Sequence, residues 1–229
     1  MPLEIKILDY GDIELESSFL VLGHNCGRTR RVLTLGFLIL GGQYPVVIDT
    51  GYRSNQIMET LGMRGLQFHE NMIENQLMRH GVRMGDVRFV CHTHLHIDHA
   101  GKDDLFPMNT TVVVNRRELE YSVSGLMHPQ YPAPDIKHLV DRLHTKSALR
   151  FLDLEITGSI ELMPGINSIG PVISRSRKRS ALLVCRRSTR CLMSGAGYCG
   201  CISPETEYSN SFRFSTTVVF IGNRSSLPA

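Results

Sequence analysis

No stretch of this 229-residue chain approaches the roughly 20 consecutive apolar residues that a bilayer-spanning helix needs. The opening Met-Pro-Leu-Glu-Ile-Lys lacks a basic region followed by an apolar one, so no secretory signal is expected and the expected location is cytoplasmic. Net charge is small, +3, and gives no reason to expect a nucleic acid or a membrane as partner. Cysteine is sparse: six residues, which in a reducing compartment need not pair. Histidine is missing after His144 and aspartate after Asp153.

These last absences belong to a wider unevenness. Residues 1–165 carry 16 Lys+Arg against 20 Asp+Glu, a net of −4, whereas residues 166–229 carry 9 Lys+Arg against only Glu205 and Glu207, a net of +7. All ten histidines precede the second segment, which holds four of the six cysteines and 12 of the 19 serines. The chain is long enough for one domain with a sizeable core. The expected organisation is therefore a core over 1–165 and an atypical, basic, Ser/Arg/Cys-rich segment over 166–229.

What is present in the first part alternates between strand and helix. Glu4–Leu8, Ser18–Leu22, Val32–Leu40, Pro45–Gly51, Val87–Cys91 and Thr111–Val114 have strand character. Phe68–His80 has helical spacing, with Met72, Ile73, Leu77 and Met78 on one side, and Arg116–Ser122 and Asp135–Leu143 are also expected helices. Phe151–Leu154 and Ile160–Met163 read as a strand pair around Thr157-Gly158. Such alternation predicts an α/β layered domain. In the second part, Ser174–Arg179 reads as a solvated segment rather than a nucleic-acid patch, and apolar runs return at Ala181–Val184 and Thr216–Ile221.

The strand at Val87–Cys91 runs into Thr93-His94-Leu95-His96-Ile97-Asp98-His99-Ala100-Gly101. In an extended chain His94 and His96 point to one side, while Asp98 and His99 follow on a turn. Imidazole and carboxylate are standard zinc ligands, and bound zinc makes water acidic enough to act as hydroxide near neutral pH. Gly101 lets the chain turn tightly beside the cluster. Asp49, in Asp49-Thr50-Gly51 after a buried strand, is either a carboxylate that orients a ligating histidine through its other ring nitrogen or a turn cap. His92 is read as a packed strand residue and Cys91 as a buried one. His24, His69, His80, His128, His138 and His144 carry no spacing signal.

His94-Leu95-His96-Ile97-Asp98-His99 resembles the His-x-His-x-Asp-His signature of the metallo-β-lactamase-fold hydrolases, and Val47–Gly51 resembles the strand and turn that precede it there. The resemblance covers about residues 1–165 and, within the superfamily, is nearest to the N-acyl-homoserine lactonases. It implies an αββα sandwich and a zinc-dependent hydrolase opening a lactone ring, with a small-molecule lactone or ester as partner. Another ester or thioester hydrolase of this fold, or an inactive relative, are the alternatives. It also implies two zinc ions, Asp98 and His99 on one and His94 and His96 on the other, with a bridging hydroxide as nucleophile and Asp98 passing a proton to the leaving alkoxide.

The family pattern needs a histidine some 60–70 residues after the cluster, a bridging aspartate and a last histidine. None is present. Ile166 follows Met163-Pro164-Gly165 where the pattern leads towards a histidine, and Ala196 follows Leu192–Gly195 where it leads towards the aspartate. Cys191, Cys199, Cys201, Glu205 and Glu207 have the chemistry to bind zinc but no supporting spacing. The abrupt change in composition favours an altered reading frame over point divergence as the origin of 166–229, so the second half of the sandwich is expected to be incomplete or atypical.

Overall fold

The computed structural model describes residues 3–20, 25–126, 128–145, 148–153, 159–164, 166–169, 192–194, 198–200 and 218–221. Its main element is a seven-stranded sheet in the order β4-β1-β2-β3-β5-β6-β7. The strands are β1 (Glu4–Glu16), β2 (Thr29–Leu40), β3 (Val46–Ile48), β4 (Arg64–Leu66), β5 (Phe89–Cys91), β6 (Thr111–Asn115) and β7 (Leu149–Leu152). β4, β1, β2 and β3 pair antiparallel, whereas β3, β5, β6 and β7 run parallel. Val46–Ile48, Phe89–Cys91 and residues 111–114 are continuous apolar or β-branched runs, as suits parallel strands covered on both faces, whereas Arg150 of β7 is exposed.

Alternation sorts their side chains. Val47, Val90, Val112 and Val114 face a core closed by Ile73 and Leu77 of α2 (Ile73–Met78), Leu119 of α3 (Arg116–Val123) and Ile136 and Leu139 of α4 (Ala133–Leu143). Val46, Ile48, Cys91 and Val113 face the other way, against Leu162, Met163 and Ile166. Those three belong to β8 (Ser159–Met163) and β9 (Ile166–Ile169), which form a second, antiparallel sheet with β12 (Val218–Ile221). Each fully buried Val, Leu or Ile contributes roughly 1.5–3 kcal/mol relative to exposure. Helix, sheet and sheet are thus the layers seen among the described residues, an α/β architecture of the expected class. The remaining helices and strands are α1 (Asn55–Glu59) and the hairpin β10 (Leu192–Ser194) with β11 (Tyr198–Gly200).

Several local expectations are corrected. The first strand is one continuous element reaching Glu16, with a bulge between Asp9 and Asp12, and Ser17–Phe19 is a 3-10 turn rather than a strand. The helix expected over Phe68–His80 is reduced to Ile73–Met78, because Met72 is extended (φ −64°, ψ 137°) and His69–Asn71 forms a separate 3-10 turn. Side-chain bonds hold that break: Asn71 accepts from the Phe68 amide, and Gln76 accepts from the Asp9 amide while donating to the Glu70 carbonyl. Met78, expected on the buried side, is exposed. The pair expected around Thr157-Gly158 does not form: Leu149–Leu152 lies parallel to β6 in the large sheet, and Ser159–Met163 pairs with Ile166–Ile169 in the other. Ala181–Val184, Ser174–Arg179, Cys191, Cys201, Glu205 and Glu207 lie outside the described residues.

Candidate metal centre

The site forms at the carboxyl ends of β3 and β5, which lie side by side and parallel. β5 ends at Cys91, so His94 and His96 sit not on a strand, as alternation implied, but on the loop that follows. A turn carries the chain back: the His99 and Ala100 amides donate to the His96 carbonyl at 2.9 and 3.2 Å. It brings the His94 and His96 rings edge to face at 4.5 Å and the His94 and His99 rings to 4.0 Å. One ligand atom from each of His94, His96 and Asp98 falls within 4.8 Å of the others, the geometry of a site closing on one ion. His99 Nε2 is 3.3 Å from Asp98 Oδ2.

Asp49 anchors this loop from below. Its backbone is left-handed (φ 59°), tolerated by aspartate, and its carbonyl accepts the Tyr10 hydroxyl at 3.0 Å. The carboxylate accepts the Thr93 amide (2.8 Å) and hydroxyl (2.6 Å) and lies 2.8 Å from His99 Nδ1. With Nδ1 engaged by Asp49, His99 presents Nε2 to Asp98, which favours a proton on that nitrogen as well. Gly101 is needed for close approach rather than for a left-handed turn, since its φ is not positive. Its amide donates to the Gly51 carbonyl at 2.8 Å, and an added Cβ would strike the 51–53 backbone.

Three residues that the sequence did not single out complete the support. Asp103, 1% exposed, holds His92 Nε2 at 2.8 Å and accepts the Thr50 hydroxyl at 3.1 Å. His92, expected as a packed strand residue, thus lies between Asp103 and Asp49, with Nδ1 3.4 Å from Asp49 Oδ1. Buried Glu118, on α3, accepts the amide of Leu95 (3.0 Å) and the hydroxyl of Tyr131 (3.0 Å), and the Tyr131 ring stands 5.0 Å from that of His96. Fully buried Arg142 donates to the carbonyls of Thr110, Asp103 and Phe106 and fixes the segment after the cluster. The one signal available beforehand was a charged residue at a core-facing helix position, as at Glu118 beside Leu119 and Arg142 beside Leu139.

Electrostatics divide the histidines. Burial, reinforced by the neighbouring His99 and His96, holds His94 far below the usual imidazole range, and burial brings His96 down to about 4. Both are neutral at neutral pH, the metal-binding form. Burial would lower His99 too, but Asp98 and Asp49 outweigh it and push it well up. A proton and a cation therefore compete for Nε2. Burial opposes ionisation of Asp98 and Asp49, yet the adjacent imidazoles, His99 first, hold both carboxyls far below the usual carboxylate range. His94, His96 and Asp98 offer ligand atoms that could hold one metal ion.

Residues 30–163 match the family model described as the Metallo-beta-lactamase superfamily. The fold is similar to that of a variant of AiiA from B. thuringiensis with N-decanoyl-L-homoserine bound at its active site: TM-score 0.60 and 21% identity, over 75% of this chain and 67% of that one. It is equally similar to an N-acyl homoserine lactone hydrolase with N-hexanoyl-L-homoserine bound at its catalytic metal center: TM-score 0.60 and 20% identity, over 86% and 84%. A probable metal-dependent hydrolase from Staphylococcus aureus matches at TM-score 0.54 and 19% identity, over 73% and 63%. Identities this low show a shared fold, and the chain spans about two thirds of the length of the first of these relatives. No curated protein matches the chain at a significant level.

Proposed function

The chain belongs to the metallo-beta-lactamase superfamily, and from that premise we propose that it is a metal-dependent hydrolase of cyclic or linear esters, with an N-acyl-homoserine lactone as the first candidate substrate and zinc as the first candidate metal. The observation that carries this reading is the convergence of His94, His96 and Asp98 within 4.8 Å at the carboxyl edge of parallel strands. A divalent ion held there would polarise the ester carbonyl and acidify water. The residues supply the rest. His94 and His96 are neutral and present nitrogen donors, and Leu95 between them is pinned by Glu118. In this reading Asp98, one third exposed, would take a proton from water and return it to the departing alkoxide. In balance, water adds across the ring ester: the acyl C–O bond breaks, hydroxyl joins the carbonyl carbon, and the proton ends on the alcohol oxygen.

The shape of the relatives' ligands supports an acyl-homoserine lactone, since two of the neighbouring folds bind ring-opened N-acyl homoserines. A second reading, an inactive member of the superfamily, is favoured by the lack of histidine after His144 and of aspartate after Asp153. The purified chain, incubated with zinc, is assayed for acid release from N-hexanoyl-homoserine lactone, a simple γ-lactone, an aryl ester and a thioester. Turnover of the first that falls at least about 100-fold in His96→Ala is expected. No turnover of any substrate refutes the reading in favour of the inactive one; turnover of the aryl ester or thioester alone refutes the lactone assignment.

A further inference from the structure

We propose that this chain binds a single divalent cation rather than the pair its superfamily membership suggests, and that among the described residues His94, His96 and Asp98 are its protein donors. The inference rests on the reading above only in taking the cluster as a metal site. Two observations carry it.

The first is convergence. Asp98 groups with His94 and His96 within 4.8 Å, and the nitrogen of His99 that is left after Asp49 takes Nδ1 faces that same Asp98 carboxylate at 3.3 Å. A second ion a few ångströms away would have to share Asp98 and take His99 alone. Two imidazoles and one carboxylate are by themselves the donor set of mononuclear catalytic zinc sites and of mononuclear non-haem iron sites. Nothing in the composition of the cluster calls for a partner ion.

The second is supply. Among the described residues, the remaining acids and histidines near the cluster are engaged in holding it. Asp49 is bonded to Thr93 and His99, and Asp103 to His92 and Thr50. Glu118 is bonded to Leu95 and Tyr131, and His138 lies against Arg142 at 2.7 Å. Beyond residue 153 the sequence contains neither histidine nor aspartate.

Equilibrium dialysis of the full chain against zinc, with elemental analysis, counts the ions; one tightly held zinc per chain is expected. Cobalt substitution reports which donors hold it: a d–d spectrum without thiolate-to-cobalt charge transfer assigns the ion to the histidine cluster rather than to a cysteine. His96→Gln is expected to weaken zinc binding at least 100-fold, while His99→Gln weakens it less than 10-fold. Two equivalents held without thiolate bands overturn the inference, as does thiolate ligation of the single ion, loss of binding in His99→Gln equal to that in His96→Gln, or no binding at all. The stoichiometry needs no variant, so misfolding of a mutant does not blunt the test. One zinc without ester hydrolysis refutes the functional reading alone; two zincs with hydrolysis refute this inference alone.

Discussion

Replacing Gly101 by alanine probes how tightly the donor loop is held against the strand that ends in Asp49. The two segments are joined by the Gly101 amide on the Gly51 carbonyl (2.8 Å) and the Thr50 amide on the His99 carbonyl (2.7 Å). A Cβ at Gly101 would fall against the Arg53 amide nitrogen, 2.7 Å from the Tyr52 carbonyl carbon and 2.8 Å from the Gly51 carbonyl oxygen. Carbon contacts are comfortable from about 3.5 Å, so the segments must part by roughly 1 Å. All three obstacles are backbone, and no rotamer change relieves them. Overpacking of this kind costs about 1–3 kcal/mol, and weakening the two hydrogen bonds adds about 1 kcal/mol each. The expected loss is about 3–5 kcal/mol, a large share of the ~5–15 kcal/mol typical of a domain. Gly85→Ala is the control, because nothing lies within 4 Å of a Cβ there and its φ is not positive; its effect is expected within about 0.5 kcal/mol. Urea denaturation followed by circular dichroism measures both. A Gly101→Ala chain as stable as Gly85→Ala would refute the argument that backbone contact holds the loop.

Three other outcomes follow from the same geometry. Glu118→Ala strands the buried Leu95 amide and the Tyr131 hydroxyl and is expected to cost about 3 kcal/mol in urea denaturation, with Glu118→Gln recovering more than half; equal losses in the two variants would count against the bonding role. Asp103→Asn loosens His92 and, through Asp49, the orientation of the loop. Zinc affinity, measured by competition with a chromogenic chelator, is expected to fall about 10-fold, and an unchanged constant would remove Asp103 from the site. Burial, with Asp103 and Asp104 adding and Arg53 opposing, pushes the Asp135 carboxyl up to about 6. The folded state therefore holds this proton more tightly than the unfolded one. The resulting stability is full below about pH 4 and is lost as pH rises through about 6, amounting to about 3 kcal/mol. The stability difference between the unaltered chain and Asp135→Asn should shrink by that amount between pH 4 and 7.5, and a flat difference would contradict it.

Much of the frame was legible from periodicity. Val46–Ile48, Thr111–Asn115 and Ala133–Leu143 appear where alternation and helical spacing placed them, within two residues at most ends. Errors arose where tertiary bonds override local pattern. Met72 to Leu77 looks like the middle of a long helix, but Gln76 and Asn71 spend their side chains on Asp9 and Phe68, and the helix starts only at Ile73. The strand pair expected around Thr157-Gly158 failed because apolar pattern identifies strands without naming their partners. Within the site, the six-residue cluster was plain because its donors are contiguous. Asp103 and Glu118 were not, since what marks them is a bond to Thr50 or Leu95, residues 53 and 23 positions away. Gly101 was noticed for the turn, which the structure has, and not for the close backbone approach, which only coordinates reveal.

The donors of the cluster, His94, His96 and Asp98, span five consecutive residues. An ion bound there closes almost no loop, so it staples no distant parts of the chain together. The unfolded chain carries the same three side chains as near neighbours and retains some affinity of its own, which reduces the usual linkage gain of about 2.7 kcal/mol at one hundred times the dissociation constant. Chelation should therefore silence chemistry while barely moving the melting temperature. If His94, His96 and Asp98 are the donors, a nascent polypeptide carries them all once residue 98 leaves the ribosome, before β6 exists to pair with β5, and would be able to capture an ion first and fold around it afterwards.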